Sequence, residues 1–176
     1  MADVSVRPAR PQDAERVARV QLSTWRQAYP DLPLDVPEVE VAAVWLRAVE
    51  QPPTPRHRLL VAMDAAELVG FAASGPLDDE DLRAGSAGDG SSDSALTALL
   101  VEPRWGRRGH GSRLLAATVD HWRLDGTTRA VAWLLERDAV SSAFLQSSGW
   151  QPDGLSRGLD MGARVERQVR LHCTLA

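Results

Sequence analysis

The sequence predicts a mixed α/β domain, and three observations support this prediction. The chain has 176 residues, which is enough to bury one sizeable core. Hydrophobic residues make up 44% and charged residues 25%, the balance of a soluble globular protein, which excludes general disorder, collagen-like repeats and disulfide-rich scaffolds. Helical spacings and strand-like apolar runs follow one another in the order βααβββαβαββ, which favours one mixed sheet with helices on both faces.

Each element of the first half has its own local signal. Pro8 stops the opening strand, and Pro11 fits the first turn of the helix that follows. Prolines from Pro30 to Pro37 end that helix, and a short turn after Met63 suggests a hairpin. The predicted elements are a strand at Val4–Arg7, a helix to Tyr29 with Ala14, Val17, Ala18, Leu22 and Trp25 at helical spacing, a helix at Glu38–Val49 with Val41, Val44, Trp45 and Ala48 on one face, and strands at Leu59–Met63 and Leu68–Ala73.

The second half begins with a stretch of different composition. Residues 78–94 are rich in Asp, Gly and Ser, and we expect a mobile loop because such a segment cannot bury enough apolar surface to offset its ordering entropy. Leu96–Val101 is almost wholly apolar, as expected of a central strand buried on both faces. The other predictions are a helix with Leu114, Leu115, Thr118, Val119 and Trp122 on one side, a buried strand at Ala130–Leu135, a short helix through Val140–Leu145 that ends near Gly149, a strand from Trp150 and a last strand within Val165–Leu175. With no repeat and no boundary in the sequence, residues 1–176 are expected to form a single domain.

Composition excludes several classes of function. All 20 basic residues are arginines, so Schiff-base and phosphate-binding lysines are absent. The net charge is −4 with dispersed arginines, which argues against a nucleic-acid partner. Cys173 is the single cysteine, and the four histidines lack metal-ligand spacing, so no metal site is expected.

Targeting signals are also missing from the sequence. The longest apolar run, Ala130–Leu135, is far shorter than the roughly 18 residues of a membrane-spanning helix. The first residues contain no apolar segment that could act as a secretion signal. We therefore expect a cytoplasmic protein with no membrane partner.

The segment Leu99–Leu115 carries the chemical signal of the chain. A buried strand ends, a proline turn follows, and Gly109 and Gly111 stand directly before an amphipathic helix. Glycines at such a place let backbone N–H groups approach a ligand, and the helix N-terminus adds about half a positive charge. Arg107 and Arg108 add two more charges. The segment is suited to a pyrophosphate.

Three other interpretations of this segment remain open at this point. A dinucleotide fingerprint needs a third glycine where Leu114 stands and an acidic residue after the next strand, whereas Asp125 comes before it. A nucleoside-triphosphate loop needs a lysine, and the sequence contains none. An ordinary glycine-rich turn without a ligand is the third.

The same segment resembles motif A of the GNAT superfamily, the acyl-CoA-dependent N-acyltransferases. That motif is a hydrophobic strand, V-x-P, then Q/R-x-x-G-x-G/A and a helix that begins with a leucine pair. Here Val101-Glu-Pro103 leads to Gly109-x-Gly111 and then to Leu114-Leu115. Two further matches are Trp25-Arg-Gln-Ala-Tyr29, similar to W-x-x-A-Y, and Ala143-Phe-Leu-Gln-Ser-Ser-Gly-Trp150, similar to the segment near the family's last helix.

The resemblance implies a splayed mixed sheet of about six to seven strands whose opening accepts the pantetheine of acetyl-CoA. Strand backbone would pair with pantetheine, loop residues would surround the pyrophosphate, and an asparagine contact of the family falls on an aspartate here. The acceptor would enter between the Tyr29–Val39 connection and the Gly154–Arg164 loop. The implied acetyl-CoA-binding residues are Leu99, Leu100, Val101, Arg107, Arg108, Gly109, His110, Gly111, Ser112 and Asp138.

The chain departs from the family pattern at its chemical positions. Gly106 stands in place of the Q/R that begins the pyrophosphate loop. Ala95 stands where many relatives have a glutamate base, and Leu145 where a tyrosine commonly protonates the leaving thiolate. The family's catalytic acid and base therefore have no direct counterpart in this sequence.

Substitutes for the acid and base are few. Tyr29 is the sole tyrosine, Glu102 follows the central strand, and His172 lies with Glu166 on the last strand. Each also has an interpretation without a catalytic role. Tyr29 would be a core contact and Glu102 a solvated turn residue, and His172 and Glu166 would be surface or edge residues. His110 falls in the loop, where side chains usually face solvent.

The sequence thus supports two hypotheses of different classes. The first is an N-acetyltransferase that moves the acetyl group of acetyl-CoA to a small-molecule or N-terminal primary amine by direct attack in a ternary complex. Acidic residues in the presumed acceptor loops favour a cationic acceptor, and the resemblance implies a homodimer. The second is a non-catalytic acyl-CoA-binding domain, which the changes at Ala95 and Leu145 favour. The acidic residues are Asp31, Asp35, Glu38 and Asp160.

Overall fold

The fold is described by a computed structural model that covers residues 4–83, 92–162 and 164–175. Side chains are described for these residues except at positions 80 and 83. No described helix is long and apolar enough to cross a membrane.

Among the residues that the structure describes, seven strands form one mixed sheet. Its strand order is β1-β2-β3-β4-β5-β7-β6. The ladder between β4 and β5 is parallel and joins only Asp93–Ala95 to Arg129–Val131, so the sheet is splayed beyond these residues. This confirms the predicted mixed, splayed sheet. The strands are β1 (Val4–Pro8), β2 (Arg58–Asp64), β3 (Glu67–Pro76), β4 (Asp93–Val101), β5 (Arg129–Leu135), β6 (Gln151–Asp160) and β7 (Val165–Thr174).

The described part of the chain contains five α-helices between strands. Pro11 begins a single turn of 3-10 helix that leads into α1, as its fixed φ and missing N–H allow. Gly109, with a φ of +81°, directly precedes α4. The helices are α1 (Ala14–Ala28), α2 (Glu38–Glu50), α3 (Asp79–Arg83), α4 (His110–Leu124) and α5 (Ala139–Ser147).

The chain divides into two compact units, and the first holds Met1–Gly75 and Ala98–His121. Its core joins α1 to β2 and β3 through Val17, Val20, Val61 and Phe71. Trp45 of α2 packs edge-on against Phe71 with the ring centroids 5.1 Å apart. The candidate pyrophosphate loop belongs entirely to this unit.

The second unit holds Pro76–Thr97 and Trp122–Ala176. Leu77, Ala95 and Val131 form a small buried cluster against which Leu82 of α3 packs. Buried polar groups surround Arg170, which is 2% exposed and donates from Nε to Asp153 Oδ2 at 2.6 Å. The prediction that the whole chain is one domain stays a prediction.

The structure corrects four details of the sequence-based prediction. Val44, expected on the inner face of α2, is 66% exposed. β4 is buried only through Leu96, because Thr97 is exposed and the last four residues are half-buried. Within the expected loop at 78–94, α3 forms a helix and β4 begins at Asp93, while residues 84–91 lie outside the described residues. Most of the expected Gly154–Arg164 loop is strand β6, which pairs with β7.

Candidate functional site

The end of β4 is held against β3 in the first unit. The Glu102 N–H donates to the carbonyl of Val69 at 2.8 Å. At Gly70 an added Cβ would lie 2.7 Å from the Leu100 carbonyl oxygen, so this approach of the two strands requires glycine. The implied pantetheine-binding residues Leu99, Leu100 and Val101 are half-buried here.

Two left-handed residues shape the loop between β4 and α4. After a 3-10 turn at Pro103–Trp105, Arg107 has a φ of +61° and Gly109 a φ of +81°. Left-handed residues within a loop turn successive N–H groups toward a common point, a concave arrangement that binds anions. That this loop binds a pyrophosphate stays a prediction.

The first turn of α4 adds further donors. The N–H groups of His110, Gly111 and Ser112 have no partners within the helix, because the first intrahelical bond of α4 runs from the Arg113 N–H to the Gly109 carbonyl at 3.1 Å. The helix dipole favours negative charge at this point. Together with Arg107, these groups suit a diphosphate.

Arg107 and Arg108 are both exposed but differ in their surroundings. The Arg108 guanidinium lies over the indole ring of Trp105, 4.9 Å from its centroid. The exposed Arg113 side chain also contacts the loop, where Nη1 donates to the Arg108 carbonyl at 3.0 Å. An added Cβ at Gly109 would lie 2.9 Å from the same nitrogen. The loop therefore has three exposed arginine side chains at or beside it.

His110 does not face solvent as expected for a side chain of this loop. Its side chain is 1% exposed, and Nε2 lies 3.3 Å from Asp64 Oδ2 at the end of β2. Its ring packs edge-on against Trp105, with the centroids 6.2 Å apart. Only the backbone N–H of His110 is therefore suited to a ligand. Sequence reasoning missed Asp64, since no local pattern links the β2–β3 hairpin to the loop.

Asp138 belongs to the second unit and caps α5. Its Oδ1 accepts a hydrogen bond from the Ser141 N–H at 2.9 Å, the usual use of aspartate at a helix N-terminus. This contact explains the residue without a ligand. A contact of Asp138 with acetyl-CoA stays a prediction.

The three catalytic candidates lie in different surroundings. Glu102 is paired, with Oε1 2.6 Å from Arg104 Nε. Tyr29 is half-buried directly after α1, where its N–H donates to the Trp25 carbonyl at 2.8 Å. His172 is half-buried opposite Val131 on β7, and its Nδ1 is buried without a hydrogen bond to a described residue. Glu166, on the same strand, accepts from Arg137 and Arg164.

The two positions that lack the family's acid and base are apolar core positions. Ala95 is 8% exposed and Leu145 is 2% exposed. Neither can take part in proton transfer. Within the described residues, no group of three or more His, Cys, Asp or Glu side chains is arranged to hold a metal ion.

Comparisons with known proteins identify the family. Residues 15–150, more than half of the chain, match the model of the family described as Acetyltransferase (GNAT) family. No curated protein matches the chain significantly.

Solved structures share the fold over nearly the full chain. A ribosomal-protein-alanine N-acetyltransferase from Brucella melitensis matches with a TM-score of 0.75 at 19% identity, covering 97% of this chain and 99% of that chain. The yncA protein of Salmonella typhimurium, whose structure holds its cofactor acetyl-CoA, matches with a TM-score of 0.73 at 17% identity, covering 99% and 95%. An N-acetyltransferase from Thermoplasma acidophilum in complex with coenzyme A matches with a TM-score of 0.68 at 15% identity, covering 98% and 99%. At these identities the likeness establishes the fold.

Proposed function

The chain belongs to the GNAT acetyltransferase family, and on this basis we propose that it transfers an acetyl group from acetyl-CoA to a primary amine. The observation that supports this proposal best is the loop at Arg107–Ser112. It combines two left-handed residues, the N–H groups of the first turn of α4 and two exposed arginines within six consecutive residues. Diphosphate is the part of acetyl-CoA that such donors bind.

The residues of the loop fit this ligand despite the change at Gly106. Gly106 has an extended backbone with a φ of −60° and a ψ of 156°, and it supplies no charge. Arg107 and Arg108 follow it directly and supply two. Bound acetyl-CoA would supply the thioester, whose carbonyl the amine attacks without a covalent intermediate on the enzyme.

Positioning can supply most of the catalysis in such a transfer. Holding an amine against a thioester can reach effective molarities of about 10⁵–10⁸ M, whereas a placed acid or base contributes roughly 10²–10⁴-fold. An alkylamine with a pKa near 10.4 costs about 4–5 kcal/mol to deprotonate at pH 7. Loss of the family's acid and base at Ala95 and Leu145 thus lowers the rate without preventing transfer.

The amine must still lose a proton and the thiolate of coenzyme A must gain one. Tyr29 and His172 remain the candidates for these steps, while Glu102 could accept a proton only after leaving Arg104. The acceptor is a small-molecule or N-terminal amine, and one structural neighbour is a ribosomal-protein-alanine N-acetyltransferase. The proposal places the enzyme in the cytoplasm as a homodimer, a state that light scattering would check.

Two measurements test the proposal. Acetyl-CoA is titrated calorimetrically into the wild-type protein and into an Arg107→Ala, Arg108→Ala variant, and thiol release is then followed with a panel of amines. Burial raises the pKa of the Cys173 thiol to about 11, so the protein's own thiol reacts slowly with the reagent and adds little background.

We expect micromolar binding that the double variant weakens, and amine-dependent release of thiol. Binding without release for any amine would identify a non-catalytic acyl-CoA-binding domain. No binding at millimolar acetyl-CoA would refute the proposal. Competition by nucleotides but not by coenzyme A would identify a nucleotide-binding module instead.

A further inference from the structure

We propose that His110 is a positioning residue that holds the diphosphate-binding loop in shape through contacts with Trp105 and Asp64. This inference rests on the proposed binding of acyl-CoA. It concerns a side chain that is directed away from the ligand, and it assigns Asp64, on a different element, to the same task.

The burial of His110 is the first observation. At 1% exposure the imidazole lies in the interior, although its residue belongs to the loop that would bind phosphate. Its Nε2 atom lies 3.3 Å from Asp64 Oδ2, which places a carboxylate beside the buried ring. Neither ring nitrogen has a well-aligned hydrogen bond to a described residue. This buried polar group therefore depends on Asp64 for its electrostatic partner.

A continuous series of contacts joins the exposed loop to β2. The Arg108 guanidinium covers the Trp105 ring at 4.9 Å, Trp105 packs edge-on against His110 at 6.2 Å, and His110 lies against Asp64. We call these four residues the loop clamp. All of them belong to one compact unit.

The loop needs such support because its backbone is strained. Arg107, a residue with a Cβ, has a φ of +61°, and left-handed residues of this kind persist only where the surroundings hold them. The loop clamp joins the chain on both sides of Arg107, at Trp105 before it and at His110 after it. Removing the imidazole leaves the Trp105 ring without its edge contact and frees the first turn of α4 from β2.

The inference predicts a selective defect. If His110 shapes the loop, its loss weakens the binding of only those ligands that carry the diphosphate. Coenzyme A has the diphosphate, and pantetheine, which is the arm without the nucleotide, does not. A histidine that merely stabilises the fold would affect both ligands alike.

The experiment compares His110→Leu, His110→Gln and His121→Leu in the full chain. Leucine fills the core without a polar atom, whereas the glutamine amide places a donor near the position of Nε2. His121 lies on α4 as well but outside the loop, so it is the matched control. Coenzyme A is titrated by calorimetry, and pantetheine at millimolar concentration is followed by NMR.

We expect His110→Leu to weaken the affinity for coenzyme A about tenfold, which is the size of losing one ring contact and one buried polar contact. The affinity for pantetheine should change by less than about twofold. His110→Gln should recover most of the affinity, and His121→Leu should match the wild type. If His110→Leu does not fold, Asp64→Asn gives the same comparison, because the Asp64 side chain reaches solvent at 13% exposure.

Two results would overturn the inference while leaving the proposed function intact. One is coenzyme A affinity within about twofold of the wild type in the folded His110→Leu variant, since tenfold corresponds to one lost set of contacts. The other is an equal loss for both ligands. If the wild-type protein itself does not bind coenzyme A, the proposed function fails and the inference fails with it.

Discussion

Gly109 is a residue at which the loop depends on the absence of a side chain. Its φ of +81° is left-handed, and a Cβ would lie 2.9 Å from Arg113 Nη1. We expect Gly109→Ala to lower the free energy of unfolding by roughly 1–2 kcal/mol and to weaken acetyl-CoA binding, because backbone strain and the Arg113 contact both move the N–H groups. Urea unfolding and calorimetric titration measure the two effects.

Gly126 offers the matched control for this change. Its φ is +74°, and nothing lies within 4 Å of an added Cβ. Gly126→Ala should cost a similar roughly 1–2 kcal/mol in stability without changing acetyl-CoA affinity. Equal affinities for the two variants would show that the backbone at Gly109 does not shape the site.

Asp13 carries a pH-dependent part of the stability. Burial raises the pKa of its carboxyl, but hydrogen bonds from Arg7 at 2.7 and 3.0 Å and from the Arg10 N–H at 2.7 Å lower it more, so the net pKa lies below the usual value. Because the folded pKa is below the unfolded one, the pair stabilises fully above about pH 4, and this stabilisation is lost as the pH falls through the folded pKa.

We therefore expect Asp13→Asn to lower the free energy of unfolding by about 2 kcal/mol at pH 7 and by less at pH 3, where the wild type loses the same interaction. Urea unfolding at both pH values measures this difference. Glu38→Gln is the control, because the exposed Arg19–Glu38 pair at 3.4 Å should contribute less than about 1 kcal/mol. A penalty for Asp13→Asn that is equal at both pH values would contradict the assignment.

At the scale of the element, Asp138 determines how α5 begins. Its Oδ1 accepts from the Ser141 N–H at 2.9 Å, and asparagine caps helices about as well as aspartate. Asp138→Ala should cost about 1 kcal/mol of stability, measured by thermal unfolding, and Asp138→Asn only a small part of that.

The same two variants test the predicted contact of Asp138 with acetyl-CoA. We expect the affinity of Asp138→Asn to equal that of the wild type, because the carboxylate is occupied by the helix. Tighter binding by the asparagine variant would mean that the negative charge of Asp138 lies beside the anionic ligand.

Elements with a strong local signal could be predicted from sequence, and elements that depend on a partner could not. Helical spacing between prolines predicted α1, and apolar runs on either side of a short turn predicted β2 and β3. β6 is the strand predicted from Trp150, but its length could not be predicted, because Pro152, Gly154 and Gly158 give no strand pattern and pairing with β7 extends the strand to Asp160. α3 has only five residues, too few for a periodic pattern.

For the whole molecule, the loop could be predicted because its residues are consecutive in the chain. The contacts that hold side chains in place join residues far apart, such as Trp133, whose Nε1 donates to Asp81 Oδ1 at 2.6 Å across 52 positions. The pairing of His110 with Asp64 is of the same kind. Charge and hydropathy patterns in the sequence indicate the character of each residue, but they do not indicate which distant residues come into contact.

Arg170 is a buried example of such a contact. It is 2% exposed, donates to Asp153 at 2.6 Å and has Nη1 3.8 Å from Asp81 Oδ1. Arg170→Met keeps much of the volume but leaves two mostly buried carboxylates without this partner. We expect a loss of about 3–5 kcal/mol in the free energy of unfolding, measured in urea, because uncompensated buried charge is costly.

Arg167→Met, on the same strand, separates this effect from the loss of any arginine. Arg167 is 62% exposed and lies 3.6 Å from Glu136, so its replacement should cost less than about 1 kcal/mol. Adding Asp153→Asn to Arg170→Met should restore part of the stability, because the second change removes one of the stranded charges. Equal losses for Arg167→Met and Arg170→Met would mean that solvent or rearranged partners compensate the carboxylates, and that the buried charges of the second unit do not depend on Arg170.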